Sequence, residues 1–188
     1  CHVENDVNCA GMAEYAAGAA KGSSSMLMLT IGTGIGGAFI WDGKLWKGYG
    51  NSACEVGRME LGTGSFEELA ATSALVLNTA KRHGKVPEEI SGKWIFEQAQ
   101  SNEVCIQEID RMCDALALGI ANLCYVLNPE IVVLGGGISA QREWLLPRLK
   151  KGLERYLIPS ILEQTRLEFA AFGNYAGMMG ACSAAIQK

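Results

Sequence analysis

The chain has 188 residues, of which 49% are hydrophobic, so it can bury a core as one domain or as the larger lobe of a two-lobed protein. Its net charge of −4 and isoelectric point near 5.3 argue against a nucleic-acid-binding surface. No apolar stretch reaches the roughly 18 residues that a membrane-spanning helix needs, so we expect no membrane partner.

The seven cysteines are scattered along the chain, and none of them forms a Cys-x-x-Cys pair. An odd number cannot pair completely within one chain, so we expect free thiols and a reducing, cytoplasmic location. The chain begins with Cys1 rather than Met. A mature lipoprotein can begin with Cys, but a helix is predicted almost at once where a polar tether is usual. We therefore expect a part of a longer protein.

A helix and a strand are predicted near the start of the chain. Asn5 or Asp6 can cap a helix that continues through closely spaced alanines to Ala17. Residues 22–25 then form a polar loop, and the apolar run 26–31 is typical of a buried strand.

A hairpin and a longer helix are predicted next. The Asp42-Gly43 pair is a strong two-residue turn signal between strands over 37–41 and 44–46. Residues 66–82 are predicted to form one helix. Its expected inner face consists of Leu69, Ala70, Ala74, Leu77 and Ala80.

The second half of the chain alternates helices with strands. Apolar residues recur at helical spacing from Cys105 to Leu127, and Asn128-Pro129 ends this helix because the residue before proline avoids the α region. The other predicted elements are a short helix over 94–100, a strand over 131–134, a helix over 141–156 that Pro147 restarts or kinks, a strand over 166–170 and a helix over 176–186. Strands that alternate with helices, together with the hairpin, predict an α/β fold with a mixed sheet.

Two glycine-rich turns follow predicted strands. Residues 32–37 read Gly-Thr-Gly-Ile-Gly-Gly, and residues 131–139 read Ile-Val-Val-Leu-Gly-Gly-Gly-Ile-Ser. Glycine lets the backbone approach a ligand closely, and the N–H groups of such a turn, helped by the Thr33 hydroxyl, can hold phosphate oxygens. Ordinary strand-to-helix turns are also rich in glycine, so the pattern alone leaves phosphate binding open.

Two polar segments accompany these turns. Residues 4–8 read Glu-Asn-Asp-Val-Asn, and residues 51–58 read Asn-Ser-Ala-Cys-Glu-Val-Gly-Arg. A carboxylate such as Asp6 can act as a general base, and its structural alternative is a helix cap. Glu55 has apolar neighbours, which is unusual for a free surface charge, although most glutamates are simply solvated.

Taken together, these four segments resemble the ROK family of sugar kinases and sugar-responsive repressors, over essentially the whole chain. The resemblance implies the ribonuclease-H-like lobe, with a mixed sheet flanked by helices, that the family shares with actin and hexokinase. ROK kinases place another α/β lobe before this region, with an Asp-x-Gly-x-Thr phosphate motif at its first turn. That motif does not occur in this sequence. The resemblance therefore implies that residues 1–188 form the C-terminal lobe of a two-lobed sugar kinase.

The resemblance also implies roles for four polar residues at a sugar site. Asp6 matches the family's catalytic Asp. Asn5 matches a neighbour that binds sugar hydroxyls, which an amide can do as donor and acceptor. Glu55 and Glu67 match the two glutamates that hold hydroxyls near C1 and C2 of the sugar. The match of Glu67 is less secure, because Glu68 stands beside it.

The two glycine-rich turns match the family's nucleotide site. Thr33 and Gly34 match the second phosphate loop, which faces the γ-phosphate of ATP. Gly135, Gly136 and Gly137 match the adenosine loop, where a missing side chain leaves room for the nucleotide. The implied cofactors are ATP and Mg²⁺.

The chain departs from the family in one loop. Most ROK proteins have Gly-His after the first glutamate and then Cys-x-Cys-Gly-x-x-Gly-Cys, and this His and these cysteines hold a structural zinc. Here Arg58 stands at the His position, and residues 59–66 contain no cysteine. Cys54 alone cannot build a tetrahedral site, so we expect a zinc-less branch without metal ligands in this chain. Arg58 can still donate to a sugar hydroxyl or pair with a carboxylate.

The implied function is ATP-dependent phosphorylation of a hexose or hexose derivative, of the glucokinase, N-acetylmannosamine kinase or β-glucoside kinase type. The alternatives are the sugar-sensing lobe of a ROK transcriptional repressor and a non-enzymatic binding module. The kinase is favoured because Asp6 and the 32–37 turn are both intact, whereas a pure sensor needs neither. The expected partners are a small-molecule sugar, ATP and a second copy of the chain. The isolated chain should be inactive, because phosphoryl transfer depends on positioning.

Overall fold

The computed structural model describes residues 4–173 and residue 177 of the chain. The predicted helix over 176–186 therefore lies outside the described residues, apart from Gly177. Across this described part of the chain, none of the helices combines the length and the apolar character needed to cross a bilayer.

Helices and strands alternate along the described chain. The strands are β1 (Ser25–Ile31), β2 (Ile35–Trp41), β3 (Lys44–Leu45), β4 (Ile131–Gly135) and β5 (Arg166–Phe169). The helices are α1 (Asp6–Ala17), α2 (Phe66–Ala70), α3 (Thr72–His83), α4 (Gly92–Gln98), α5 (Glu103–Leu127), α6 (Arg142–Tyr156) and α7 (Pro159–Leu162). Short 3-10 helices lie at Val56–Arg58, Pro87–Glu89 and Gly137–Gln141. This order confirms the predicted α/β class.

The five strands form one mixed sheet in the order β3-β2-β1-β4-β5. Strand β1 pairs antiparallel with β2 and parallel with β4, and β5 pairs parallel with β4. The Asp42-Gly43 turn joins β2 to β3, and both of its residues have positive φ, at 48° and 73°. Positive φ at both positions is typical of a tight hairpin turn, so the hairpin predicted from the sequence is confirmed.

Helices cover both faces of the sheet. Leu27, Leu29 and Ile31 of β1 contribute to a large core that also contains residues of α2 to α6. Met26 and Met28 belong to a smaller core on the opposite face, which contains residues of α1. Because alternate residues of β1 contribute to two apolar cores, residues 26–29 of the strand form a continuous apolar run in the sequence.

Helix α1 begins at the Asn5 cap and packs closely against the sheet. The side-chain oxygen of Asn5 accepts hydrogen bonds from the N–H groups of Val7 and Asn8, at 2.8 and 3.3 Å. A Cβ atom at Gly11 would lie 3.2 Å from the Cβ of Ala38 in β2. Small residues on α1 therefore allow the close approach, and Asn5 is the cap of the two candidates that the sequence offered.

The prediction of one helix over 66–82 is wrong, because the structure divides it at Ala71 into α2 and α3. Ala71 is extended, with φ −72° and ψ 157°. The N–H of the next residue, Thr72, donates to the carbonyl of Gly32 at 2.9 Å. Neither glycine nor proline marks the break in the sequence. A tertiary hydrogen bond accompanies it instead, and such contacts override local helix propensity.

The break changes which side chains of α3 are buried. Ala74 and Ala80 lie inside, as predicted. Leu77 was expected on the same face but is 56% exposed, whereas Leu75 is only 2% exposed. The helical phase restarts after Ala71, so the buried face of α3 is shifted from the face counted from residue 66, and Leu75 is buried in place of Leu77.

The helices and strands predicted between residues 94 and 170 are observed, and the structure adds the short helix α7 and differs at Pro147. Helix α5 begins after Asn102, whose side chain accepts two backbone N–H bonds. It ends at Asn128, which has a left-handed conformation with φ 42° directly before Pro129. Helix α6 runs continuously through Pro147, so the predicted restart does not occur.

A buried carboxylate connects α1 to the segment after β5. Glu14 is fully buried. Its side-chain oxygens accept hydrogen bonds from the backbone N–H groups of Ala19 at 2.8 Å, Ala171 at 3.0 Å and Phe172 at 2.9 Å. These donors replace the hydration that a buried carboxylate loses, so Glu14 fixes α1 relative to the β5 edge of the sheet.

Replacing Glu14 by Gln should destabilise the fold by about 2 to 4 kcal/mol, because the amide nitrogen cannot accept from an N–H group and leaves it unpaired. Chemical denaturation measures the free energy of unfolding. Glu143→Gln, at an exposed glutamate in the first turn of α6, is the matched control and should be nearly neutral. Equal unfolding free energies for the two variants would contradict the role given to Glu14.

Candidate active site

The carboxyl ends of two central strands meet at one edge of the sheet. Strands β1 and β4 are parallel, and their last paired residues are Thr30 and Gly135. Residues 32–34, which we call the 32–34 loop, follow β1. Gly136 and Gly137 follow β4. A Cβ atom at Gly136, where φ is 85°, would lie 2.3 Å from the carbonyl oxygen of Ile31, so only glycine fits this contact.

Helix α1 and the Cys54–Gly57 region reach the same edge through close contacts with β2. A Cβ at Gly36 would lie 2.5 Å from a methyl group of Val7, which directly follows Asp6. A Cβ at Gly37 would lie 2.8 Å from the Cys54 carbonyl oxygen, and one at Gly57 would lie 2.4 Å from the Ile35 carbonyl oxygen. Glycines on both sides of these contacts thus bring the two polar segments beside the 32–34 loop.

Asp6 is exposed at the first position of α1. One of its carboxylate oxygens accepts the N–H of Val7 at 2.9 Å. Since Asn5 caps the helix, the interpretation of Asp6 as the cap is wrong, and its carboxylate faces solvent at the helix N-terminus. An exposed carboxylate with free lone pairs can accept a proton from a bound hydroxyl group.

Asn5 is also exposed, but its side chain has a structural task. The side-chain oxygen accepts the capping bonds of α1. Within the described part of the chain, no hydrogen bond uses the side-chain NH₂ group of Asn5. The NH₂ group is therefore available to donate to a ligand, whereas the oxygen is already used as an acceptor by the cap.

Glu4 is a second carboxylate near Asp6, and its environment is different. It accepts hydrogen bonds from the N–H of Asn5 at 3.0 Å, from the side-chain amide of Asn8 at 2.9 Å and from the ammonium group of Lys47. Burial alone would raise the pKa of Glu4, but these hydrogen bonds and the charge of Lys47 outweigh it and lower the pKa to about 2. Glu4 is therefore an anchor between α1 and the segment after β3.

The lowered pKa of Glu4 predicts a specific pH dependence. Glu4 should contribute roughly 1 to 3 kcal/mol above its unfolded pKa, and this contribution should disappear as the pH falls from about 4.5 towards 2. Denaturant unfolding of wild type and Glu4→Gln should therefore give different free energies at pH 7 and converging values below pH 4. Glu88→Gln, at an exposed glutamate, serves as control. A constant difference between wild type and Glu4→Gln across this range would contradict the anchoring role.

Two adjacent glutamates at the start of α2 have separate tasks. Glu68 forms a capping box with Ser65, whose N–H and hydroxyl both donate to it at 2.9 Å. Glu67 is half-buried and lies 3.0 Å from a guanidinium nitrogen of Arg58. A Cβ at Gly34 would lie 2.7 Å from the other Glu67 oxygen. Glu67, rather than Glu68, thus faces the 32–34 loop.

Glu55 and Arg58 lie at the two ends of the short 3-10 helix that contacts Glu67. Glu55 is exposed and precedes the 3-10 helix Val56–Arg58. The Arg58 side chain is 81% exposed, although its end is paired with Glu67. The apolar setting inferred for Glu55 from the sequence is not observed, and both side chains are accessible to a ligand.

The 32–34 loop is closed by its own backbone and held by α3. The Gly32 N–H donates to the Gly34 carbonyl at 3.0 Å, and Thr33 is exposed. The Ser73 hydroxyl donates to the Thr33 carbonyl at 2.6 Å. A groove of about 630 Å³ borders the loop and is lined in part by Thr33, Glu67 and Ser73. The position of Ser73 could not be predicted, because neither glycine nor proline in the sequence marks the helix break that brings it here.

The three glycines after β4 differ in their surroundings. Gly135 is buried as the last residue of β4, whereas the sequence predicted that it lies in the loop after the strand. Gly136 is required by its contact with Ile31. Gly137 begins the 3-10 helix, and a Cβ there would meet open space. Open space therefore lies beside Gly137 rather than beside Gly135.

Hydrogen bonds close the 59–66 loop, in which the sequence predicts no zinc ligands. The Leu61 N–H donates to the Gly64 carbonyl at 2.9 Å, and the Phe66 N–H donates to the Met59 carbonyl at 2.7 Å. Among the described residues, no group of three or more His, Cys, Asp or Glu side chains could hold a metal ion. Burial raises the pKa of the Cys54 thiol above its ordinary value.

Comparisons with known proteins decide the family. The sequence model of the ROK family matches residues 1–188. The chain belongs to the ROK family. The fold is accordingly that of the actin-like and hexokinase-like lobe inferred from the sequence, and solved ROK structures superpose on it.

Several relatives are similar over nearly the whole chain. An uncharacterised protein of Clostridium perfringens is 47% identical over 96% of this chain, which spans 62% of that relative. A β-glucoside kinase of Listeria monocytogenes is 33% identical over 95% of the chain, which again spans 62% of the relative. The crystal structure of a ROK glucokinase from Streptomyces griseus with glucose and AMPPNP has a TM-score of 0.90, 29% identity and coverage of 99% of this chain and 68% of that chain. The chain thus spans about three fifths of the relatives' length.

The loop geometry predicts a protein without structural zinc. Elemental analysis of purified protein should find no stoichiometric zinc, and EDTA should leave the melting temperature unchanged, because hydrogen bonds close the 59–66 loop. Cys54→Ser, which removes the cysteine nearest to this loop in the sequence, should behave like wild type in both measurements. Stoichiometric zinc, or a melting temperature that falls with EDTA, would contradict this prediction.

Proposed function

We propose that the chain is the C-terminal lobe of an ATP-dependent kinase that phosphorylates a hexose or hexose derivative. The observation that carries the proposal is the position of Asp6. Its exposed carboxylate stands at the N-terminus of α1, and the next residue packs on the strand that leaves the 32–34 loop. A proton acceptor beside a glycine-rich loop suits transfer of a phosphoryl group to a hydroxyl.

In this proposal Asp6 takes the proton from the sugar hydroxyl that attacks the γ-phosphate. The side-chain NH₂ of Asn5 donates to a neighbouring sugar hydroxyl. Glu55 and Glu67 accept hydrogen bonds from further hydroxyls, and Arg58 holds Glu67 in place through their ion pair. A carboxylate can accept from two adjacent hydroxyls, which suits the recognition of a sugar.

The nucleotide would lie against the two glycine-rich turns. Thr33 and Gly34 suit the γ-phosphate, because backbone N–H groups of a tight turn bind anionic oxygens. The open space beside Gly137 suits the adenosine, and the close contact of Gly136 with β1 supports the turn there. Magnesium would arrive with the nucleotide and neutralise phosphate charge during transfer.

The relatives support the substrate class but do not select one sugar. The Streptomyces griseus structure contains glucose and an ATP analogue, and the Listeria relative is a β-glucoside kinase. Glucose and its derivatives are accordingly the first compounds to test for this chain. The sugar-sensing lobe of a repressor remains the alternative, and Asp6 argues against it because sensing needs no proton acceptor.

Asp6→Asn in the full-length protein should lower kcat by roughly a hundredfold or more while sugar affinity stays close to wild type, because only the proton acceptor is lost. A coupled ATPase assay across glucose, N-acetylmannosamine and β-glucosides measures turnover, and calorimetry measures sugar binding. Residues 1–188 alone should show no turnover, since positioning by a complete cleft is needed.

Asp42→Asn is the matched control, because Asp42 is exposed in the β2–β3 turn and Asn tolerates its positive φ. This variant should retain wild-type kcat. Near-normal turnover by Asp6→Asn would remove Asp6 from the mechanism. Absence of sugar phosphorylation by the wild-type protein would instead leave the sensing lobe as the better proposal.

A further inference from the structure

Two consecutive carbonyl groups of the 32–34 loop are held by the start of α3. The Thr72 N–H donates to the Gly32 carbonyl at 2.9 Å, and the Ser73 hydroxyl donates to the Thr33 carbonyl at 2.6 Å. Helix α3 therefore fixes the orientation of both peptide planes of the loop.

Because a trans peptide plane is rigid, the direction of each carbonyl group also fixes the direction of the N–H group in the same plane. The described chain contains no cis peptide bond, so in each plane the N–H points opposite to the carbonyl. The Thr33 N–H shares a plane with the Gly32 carbonyl, and the Gly34 N–H shares one with the Thr33 carbonyl. Because both carbonyls point towards α3, both N–H groups point away from it. No hydrogen bond within the described residues uses either N–H group.

We propose that Ser73 is a positioning residue, which orients the Thr33 and Gly34 N–H groups so that they bind the terminal phosphate of the nucleotide. The inference rests on the proposed kinase function and adds a residue to it. Ser73 acts through the Thr33 carbonyl and not on the ligand, because its hydroxyl hydrogen is used in that bond. Two adjacent N–H groups that point the same way form a small anion-binding concavity.

The break between α2 and α3 at Ala71 makes both hydrogen bonds to the 32–34 loop possible. In a continuous helix the Thr72 N–H would bond to the carbonyl four residues earlier, at Glu68. The extended Ala71 releases that N–H, which reaches Gly32 instead. The same change of direction brings the next side chain, Ser73, to Thr33.

Glu67 is the charged group beside this concavity. A Cβ atom at Gly34 would lie 2.7 Å from one oxygen of Glu67. A carboxylate so close to the loop would repel a phosphate group bound there. Its ion pair with Arg58, at 3.0 Å, supplies a positive charge at the same place. Arg58 therefore offsets the negative charge of Glu67. Ser73 controls a different feature, which is the orientation of the N–H groups.

The test compares Ser73→Ala, Ser73→Thr and Ser101→Ala in the full-length protein. Loss of one neutral hydrogen bond should lower kcat/KM for ATP about fivefold to tenfold in Ser73→Ala, and the KM for sugar should stay within about twofold of wild type. Affinity for AMPPNP, measured by calorimetry, should fall by a similar factor. Ser73→Thr keeps the hydroxyl and should retain near-wild-type values.

The controls separate positioning from folding. Ser101 is an exposed turn residue, so Ser101→Ala should match wild type. Alanine is a good helix former, so Ser73→Ala should keep the wild-type melting temperature within a few degrees. Unchanged ATP kinetics and AMPPNP affinity in Ser73→Ala would overturn the proposal, and so would an equal loss in Ser73→Thr.

The same measurements distinguish failure of the kinase proposal from failure of the role given to Ser73. If the wild-type protein phosphorylates no sugar but binds AMPPNP, and Ser73→Ala alone weakens that binding, the role of Ser73 stands and the kinase function falls. If the wild-type protein binds no AMPPNP, the phosphate concavity itself is wrong and the role of Ser73 falls with it.

Discussion

The parallel pairing of β1 with β4 is the constraint on which the rest of the structure depends. Residues from Met26 to Leu29 and from Ile131 to Leu134 are essentially inaccessible to solvent, so both strands contribute to both cores. A shift of one residue in their pairing would turn every side chain of one strand to the other face. Because both faces are apolar and buried, close packing of side chains of different sizes in the two cores holds the register, and the register places the turn after each strand at the same edge. Ligand sites of open α/β sheets form at this kind of edge.

The glycines near this edge mostly serve contacts within the protein. Gly36, Gly57 and Gly136 each lie so close to neighbouring atoms that a Cβ would be 2.3 to 2.5 Å away. Such contacts bring α1 and the 3-10 helix Val56–Arg58 against β2, and they bring the turn after β4 against β1. Glycines that look like ligand contacts in the sequence can thus be packing residues that bring polar side chains together. Gly32 and Gly137 are different, because a Cβ at either position would meet open space.

Sequence patterns predicted the elements that depend on local chemistry. The hairpin at Asp42-Gly43, the long helix α5 and the central strands all agree with periodicity and turn signals. The division at Ala71 could not be predicted, because it depends on a hydrogen bond from Thr72 to a residue 40 positions earlier. The separate tasks of Glu67 and Glu68 could have been read from the sequence. Ser65 and Glu68 have the spacing of a capping box, which leaves Glu67 free for other contacts.

The two carboxylates near the start of α1, Glu4 and Asp6, have different surroundings. Glu4 accepts three hydrogen bonds and connects the helix start to Lys47, so its negative charge is already compensated. Asp6, two residues later, accepts only the N–H of Val7 among the described contacts. If both carboxylates were free, each would repel the other and weaken the binding of an anionic phosphate nearby. Compensation of Glu4 by Lys47 leaves one free carboxylate at the helix start. That carboxylate is held by a rigid element beside the 32–34 loop, and this rigidity is what a group must have to accept a proton at a defined position.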